Sequence, residues 1–91
     1  MHSYKFISKG RVQGVYYRKN ICENAQKENF KGYVKNLPNG DVESAITVTT
    51  INEHKRFIEI LQIGSPNSIV EEIEILEHEE IFEDEFIIKY D

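Results

Sequence analysis

The segment GRVQGVYYRKN, residues 10–20, places two glycines and one arginine where a strand is expected to give way to a helix. Glycine lets the backbone turn sharply and approach a ligand closely. Successive amide N–H groups in such a turn can point into one concavity. The first turn of the helix adds unpaired N–H groups and the positive end of the helix dipole. Together these features predict a binding site for an anion of phosphate size.

Arg18 lies at the expected start of that helix, where a positive charge is unfavourable. A bound oxyanion would remove the conflict, and the planar guanidinium can contact two phosphate oxygens at once. The segment lacks the Gly-Lys-Ser/Thr sequence of a P-loop and the glycine spacing of a dinucleotide site. The residues alone therefore leave two interpretations open, an anion site or a tight turn with an exposed arginine.

The distribution of charge favours a local anion site over a broad basic surface. The chain of 91 residues has a formal net charge of -5, yet residues 1–22 contain five Lys or Arg and no carboxylate. The acidic balance argues against a general nucleic-acid-binding protein. Lys5, Lys9 and Arg11 are nevertheless expected to form the solvated face of a strand, which is the usual role of such a charge run.

The cysteine and histidine content predicts a site without a metal or other cofactor. Cys22 is the single cysteine, so neither an intramolecular disulfide nor a cysteine metal site can form, and a reducing, cytoplasmic location fits. We expect Cys22 to be a small buried side chain, and His2, His54 and His78 to lie at the surface.

No segment has the length of a membrane span, and MHSYKFIS lacks the apolar core of a signal peptide.

Hydrophobic periodicity predicts the elements that position these residues. Alternating apolar residues predict strands over residues 4–12, 32–36, 41–50, 69–76 and 85–90. Helical spacing predicts helices over residues 18–30 and between Thr50 and Gly64. NLPNG predicts a hairpin turn, and the acidic residues 77–85 predict a solvated turn. The order β-α-β-β-α-β, with one extra strand, predicts a single domain over residues 1–91 with both helices on one face of a sheet.

The helix ends and apolar stripes can be predicted as well. Asn29 is expected to end the first helix in a left-handed conformation, and Thr50 with Glu53 has the spacing of a capping box at the start of the second. The apolar stripes that should face the sheet comprise Ile21, Cys22 and Ala25 in the first helix and Phe57, Ile58 and Leu61 in the second, with Ile60 and Ile63 beside the latter stripe.

GRVQGVYYR, followed by GYVKNLPNGDVE, resembles the two signatures of the acylphosphatases. Ala25 and the later segments GSPNS and FIIKY also resemble that family, so the resemblance covers nearly the whole chain. It implies an α+β fold, a ferredoxin-like two-layer sandwich with two helices on one face of a mainly antiparallel sheet. It also implies hydrolysis of acyl phosphates to a carboxylate and inorganic phosphate, without a metal.

The resemblance also assigns roles to residues. It implies a phosphate cradle formed by the backbone of Gly14, Val15, Tyr16, Tyr17 and Arg18. The Arg18 side chain would bind phosphoryl oxygens, and Asn36 would position the attacking water. The chain departs from the family at Val48 and Asn29, where glycine is common, and two outcomes stay open for Tyr16, which either narrows the mouth of the site or leaves it unaffected.

Such a mechanism is chemically consistent with the residues present. An acyl phosphate has a carboxylate leaving group that departs without a strong general acid, so neither a metal nor a histidine is needed. The neutral amide of Asn36 cannot take up a proton usefully, so its role must be to orient a water. Without the resemblance, Asn36 would be interpreted as a residue that opens the turn.

Other proteins with a ferredoxin-like fold would need different sequence features. An RNA-binding domain would need an aromatic GFAF-type strand, and a metal chaperone would need two nearby cysteines. A non-catalytic anion- or small-ligand-binding domain stays open, because it could keep the cradle and Arg18 without turnover. We expect a small-molecule acyl phosphate as the substrate, no nucleic-acid or membrane partner, and a monomer.

Overall fold

The computed structural model describes residues 1–90, which form five strands and two helices in the predicted order. The elements are β1 (His2–Arg11), α1 (Tyr17–Lys27), β2 (Lys31–Asn36), β3 (Val42–Val48), α2 (Ile51–Ile63), β4 (Ile69–His78) and β5 (Ile87–Lys89). No helix within residues 1–90 is long and apolar enough to cross a membrane.

The strands form one sheet in the order β4-β1-β3-β2-β5. Every neighbouring pair is antiparallel except β2 and β5, which run parallel. Both helices pack on one face of this sheet, where the Phe57 ring of α2 lies 5.2 Å from the Phe6 ring of β1. The predicted α+β, ferredoxin-like sandwich is therefore confirmed.

The core lies between the helices and the sheet. Its largest fully buried side chains are those of Phe6, Val12, Tyr17, Ile21, Val34, Val42, Ile46, Phe57, Leu61 and Phe86. Most of the predicted helical stripe residues are buried, whereas Ile63, which was expected beside the stripe of α2, is 70% exposed. Because successive helical residues are about 100° apart, Ile63 lies roughly 200° around α2 from the buried Leu61.

The helix ends follow the predicted capping chemistry. The Thr50 hydroxyl accepts the Glu53 N–H at 3.2 Å, and the Glu53 carboxylate accepts the Thr50 N–H at 3.2 Å, which completes the capping box. Asn29 has a φ of 61° beyond the end of α1, as predicted. The neighbouring Glu28 forms a 2.7 Å ion pair with Arg56 of α2, which connects the two helices.

The segment after β4 is more than the solvated turn that was predicted. β4 and β5 occupy opposite edges of the sheet, so the chain between them must cross it. The Phe82 ring contacts the rings of Tyr33 and His78, at 5.6 and 5.7 Å, and the Phe82 N–H donates to Thr47 Oγ1 at 2.8 Å. Phe82 thus covers part of the sheet face opposite the helices, while the charged residues around it remain largely exposed.

Two of the three histidines are more buried than the sequence indicated. His54 stacks on Tyr4 with the ring centroids 4.2 Å apart, and His78 stacks on Phe82. His2 is exposed, as expected. The difference arises because β1 and the crossing segment supply aromatic partners that a single element does not reveal.

Candidate active site

The loop between β1 and α1 has two residues in the left-handed region of backbone conformation. Gly14 has a φ of 73°, and Tyr16, the residue that caps the start of α1, has a φ of 62°. Glycine adopts this region freely, whereas for tyrosine it is unusual and costs energy. No side chain caps the start of α1, and its first turn contains no acidic residue. The first amides of the helix are therefore left without a capping partner.

Buried contacts on the helix side hold this loop in place. The Tyr17 hydroxyl donates to the Leu61 carbonyl at 2.8 Å and lies 3.0 Å from Ser8 Oγ. Burial raises the pKa of Tyr17 to about 12, with the Ser8 contact acting in the opposite direction. The buried Ser65 hydroxyl donates to the Val15 carbonyl at 2.6 Å. The loop is thus fixed to the C-terminal part of α2 and the residues that follow it.

The second part of the site lies at the hairpin between β2 and β3. Asn36 is the last residue of β2, and the Leu37 N–H donates to the Asp41 carbonyl at 2.9 Å across the predicted turn. The Asn39 side chain closes the same turn, because its Oδ1 accepts the Asp41 N–H at 3.0 Å. The antiparallel pairing of β2 with β3 therefore fixes the position of Asn36 at the carboxyl end of β2, opposite Val42.

Both regions face one cavity of about 390 Å³. Of the residues predicted for the site, those that line this cavity are Gly14, Tyr16, Tyr17, Arg18 and Asn36. Val15 does not line the cavity, because its side chain is buried and its carbonyl is bonded to Ser65. The fold thus brings Arg18 and Asn36 together although they belong to different elements.

The Arg18 guanidinium lies beside the ring of Tyr90, with its central carbon 5.2 Å from the ring centroid. Within residues 1–90, Arg18 forms no ion pair with a carboxylate. A cation above an aromatic ring is attracted by the negative face of the ring, yet its hydrogen-bond donors remain available. The positive charge of Arg18 is therefore available to an anion in the cavity.

The Asn36 side chain has an acceptor without a protein partner. Its Oδ1 is buried, and within the described part of the chain it accepts no hydrogen bond. A buried acceptor that is left unpaired costs about 1–3 kcal/mol. A water or ligand group that donates to this oxygen would remove that cost.

Cys22 and the three histidines do not supply chemistry to this cavity. Burial, with additional repulsion from Glu85 and Glu23, raises the pKa of the Cys22 thiol, so Cys22 is a poor nucleophile at neutral pH. Cys22 and the three histidines are absent from the cavity lining. Across residues 1–90, no group of three or more His, Cys, Asp or Glu could hold a metal ion.

The sequence reasoning missed five residues of the cavity wall, Val12, Gln13, Lys19, Ile88 and Tyr90. Gln13 and Lys19 flank the predicted cradle, so their position in GRVQGVYYRKN was a signal for both. Ile88 and Tyr90 come from the chain's last described residues. Their presence depends on the parallel pairing of β5 with β2, which local sequence pattern does not reveal.

Comparison with known proteins gives a consistent result. The family described as Acylphosphatase matches residues 4–88. The chain is 37% identical to an acylphosphatase of Bacillus licheniformis over 82 residues, which are 89% of each protein. It is 34% identical to an acylphosphatase of Dehalococcoides mccartyi over 74 residues, or 81% of each. It is also similar to the crystal structure of acylphosphatase from Bacillus subtilis, with a TM-score of 0.90, 35% identity and coverage of 99% of this chain and 100% of that one.

Proposed function

Since this chain belongs to the acylphosphatase family and is a hydrolase of that class, we propose that the cavity between Arg18 and Asn36 is where it hydrolyses acyl phosphates. The bond that breaks joins the phosphorus to the oxygen of a carboxyl group. The cavity lining and elementary phosphate chemistry support the roles that we propose for individual residues in this reaction.

The cradle and Arg18 bind the phosphoryl group. Gly14, Tyr16, Tyr17 and Arg18 line the cavity at the start of α1, where the helix dipole is positive, and their backbone amides form the cradle. Arg18 contributes a planar guanidinium that can donate two hydrogen bonds to phosphoryl oxygens. These contacts hold the substrate in the ground state and offset the charge that spreads over the phosphoryl oxygens during transfer.

Asn36 orients the attacking water. Its unpaired Oδ1 accepts one proton of that water in a hydrogen bond, and this contact directs the water's lone pair toward phosphorus. As the new P–O bond forms, the bond to the leaving carboxylate breaks and the carboxylate takes the electron pair. The proton released by the water passes to a phosphoryl oxygen, because the amide of Asn36 cannot take it.

The observation that carries the proposal is that one cavity contains both the Arg18 guanidinium, a donor, and the Asn36 Oδ1, an acceptor, each unpaired within residues 1–90. The buried acceptor of Asn36 without a donor is costly to keep in a merely structural turn, and it belongs to the same cavity as a cation that has no carboxylate partner within residues 1–90. A phosphoryl group and a water would satisfy both groups at once.

Hydrolysis of acetyl phosphate by the wild type and by Arg18 variants tests this proposal. Losing two charge-assisted hydrogen bonds costs roughly 3–6 kcal/mol, so Arg18→Ala should lower kcat/KM by at least about a hundredfold. Arg18→Lys should recover little of the loss, because lysine keeps the charge without the fork. Inhibition by inorganic phosphate should weaken in both variants.

Arg11→Ala is the matched control, because Arg11 is an exposed cation of the same segment that does not line the cavity. It should keep wild-type kinetics. The wild-type rate should also persist in excess chelator. A folded Arg18→Ala protein with a normal rate would refute the assigned role. Phosphate binding without any turnover in the wild type would identify a binding domain instead.

A further inference from the structure

Gln13 connects the phosphate cradle to the hairpin that carries Asn36. Its side-chain Nε2 donates to the Leu37 carbonyl at 2.8 Å and to the Asp41 carbonyl at 2.8 Å. These two carbonyls belong to the first and last residues of the turn between β2 and β3. Gln13 itself directly precedes Gly14, at the start of the cradle, and its side chain lines the cavity.

Both protons of the Gln13 amide group are used in this contact. The side-chain nitrogen has two N–H donors, and each meets one backbone carbonyl. The opposite orientation of the amide would place its oxygen against two acceptors, which cannot bond. The contact therefore fixes both the rotation of the Gln13 side chain and the distance between the loop and the turn.

The side chain of Asn36 needs such external support. Within residues 1–90 its Oδ1 has no hydrogen-bond partner, so no neighbouring side chain holds that oxygen in position. Its location relative to the cradle depends on the backbone at the end of β2, and the next residue, Leu37, is held by Gln13. A displacement of about 1 Å at a reacting centre can cost roughly a hundredfold in rate.

We propose that Gln13 is a positioning residue that sets the distance between the phosphoryl group in the cradle and the water held by Asn36. This inference rests on the proposed function of Asn36. Gln13 acts through the turn, not through the substrate, so its effect depends on Asn36 being present. A residue that only stabilised the hairpin would change melting temperature without changing turnover of the folded enzyme.

A double-mutant cycle tests this dependence. Gln13→Met keeps the length of the side chain and removes both donors. We expect it to lower kcat for acetyl phosphate by about ten- to a hundredfold in the wild-type background. In the Asn36→Ala background it should cause no further loss of kcat, because two residues that act as one unit are not additive. The inhibition constant of inorganic phosphate should stay close to wild type in both backgrounds.

Asn39→Ala is the matched control for a loss of hairpin stability. Asn39 bonds to Asp41 within the same turn, but it does not line the cavity. This variant should lower the melting temperature and keep kcat. If Gln13→Met is too unstable to purify, Gln13→Ala provides a second removal of the same two hydrogen bonds for the cycle.

The possible results separate the two proposals. If Asn36→Ala lowers kcat and Gln13→Met does not, or if Gln13→Met causes the same loss in both backgrounds, the positioning role of Gln13 is refuted. A loss confined to phosphate affinity would also refute it. If Asn36→Ala itself keeps full turnover, the water-orienting role proposed for Asn36 fails first.

Discussion

Two residues of this cavity, Arg18 and Asn36, have polar groups without a protein hydrogen-bond or ion-pair partner within residues 1–90. The Arg18 guanidinium contacts only an aromatic face among the interactions described for it, and Asn36 Oδ1 is buried without a donor. The two groups have different expected roles, because phosphate contacts form in the ground state and the water contact matters when attack begins. Variants of the two residues should therefore differ in which kinetic constant they change.

Asn36→Ala should lower kcat for an acyl phosphate by about 10²–10³-fold, the usual loss for one oriented polar group at a preorganised site. The affinity for inorganic phosphate, measured as competitive inhibition or by calorimetry, should change little. Asn36→Asp should perform no better than alanine, because its negative charge would repel the phosphoryl group. If Asn36 were only a turn residue, the alanine variant would melt at a lower temperature and keep its kcat.

Arg18 and Asn36 could be predicted as site residues from the sequence because they lie in two short segments with recognisable chemistry, and both line the same cavity. Gln13 lies in the same segment but was missed, since its role depends on two carbonyls that approach it only after β2 and β3 pair. The left-handed conformation of Tyr16 was also missed, because tyrosine rarely adopts it. The sequence thus indicated the polar groups proposed to act in the cavity better than the contacts that hold the surrounding backbone in place.

At the scale of elements, the ends of helices and strands were harder to predict than their existence. The third strand was expected to continue to residue 50, but β3 ends at Val48. Thr49 and Thr50 leave the strand because both donate backbone N–H groups to the Glu53 carboxylate of α2. Val48 is nearly fully buried, so the absence of the family's common glycine there is compatible with a packed strand end.

The capping box gives a prediction for α2. Thr50→Ala removes the side-chain oxygen that accepts the Glu53 N–H, which should reduce the free energy of unfolding by about 1 kcal/mol. For a domain of this size, that corresponds to a melting temperature lower by roughly 4–8 °C. Since Thr50 does not line the active-site cavity, kcat should be unchanged.

Glu53→Gln serves as the control for this prediction. Glutamine can still accept the Thr50 N–H, so the hydrogen bonds of the box survive while the charge is lost. It should destabilise the protein less than Thr50→Ala does. Equal melting temperatures for the wild type and Thr50→Ala would show that the cap contributes nothing measurable.

At the scale of the whole molecule, the sheet order determines what reaches the cavity. β5 pairs with β2 at the edge next to Asn36, and it thereby brings Ile88 and Tyr90 to the cavity wall. The alternation of apolar residues predicted the strand, but its place in the sheet depends on a segment that crosses from β4. The long-range pairing that builds the site is the part that local pattern could not supply.

Whole-molecule stability should fall in acid. Burial against aromatic rings lowers the pKa of His54, so the unfolded chain takes up this proton before the folded protein does. The stability associated with neutral His54 is complete above the ordinary histidine pKa of about 6.5 and is lost as the pH falls through the lower folded value. Hydrogen bonds from Arg56 to Glu28, and from Thr49 to Glu53, lower the pKa of both carboxylates. The free energy of unfolding therefore falls further when the pH drops below the ordinary pKa of these two carboxylates.

Stability should also fall in alkali. Burial raises the pKa of Tyr17 from 10.0 to about 12, and burial likewise raises the pKa of Cys22. The folded protein therefore keeps both protons to a higher pH than the unfolded chain does. The stabilisation that these two protonated groups provide is complete below the pKa values that they have in the unfolded chain. It is lost as the pH rises through the higher pKa values that they have in the folded protein. For Tyr17 the complete loss amounts to roughly 3 kcal/mol, since the shift is two pKa units.

Urea unfolding between about pH 4 and 11 should therefore show a plateau of stability from near pH 6.5 to near pH 9, with a decline on each side. His54→Phe keeps an aromatic ring against Tyr4 and should flatten the part of the acid decline that begins near pH 6.5. Tyr17→Phe removes the hydroxyl that bonds to Leu61, so its plateau should be lower, and its alkaline decline should shrink to the part due to Cys22. The shape of each curve is the informative quantity, because a simple loss of packing lowers stability equally at every pH. A His54→Phe curve parallel to wild type between pH 5 and 6.5 would mean that another group causes the acid decline.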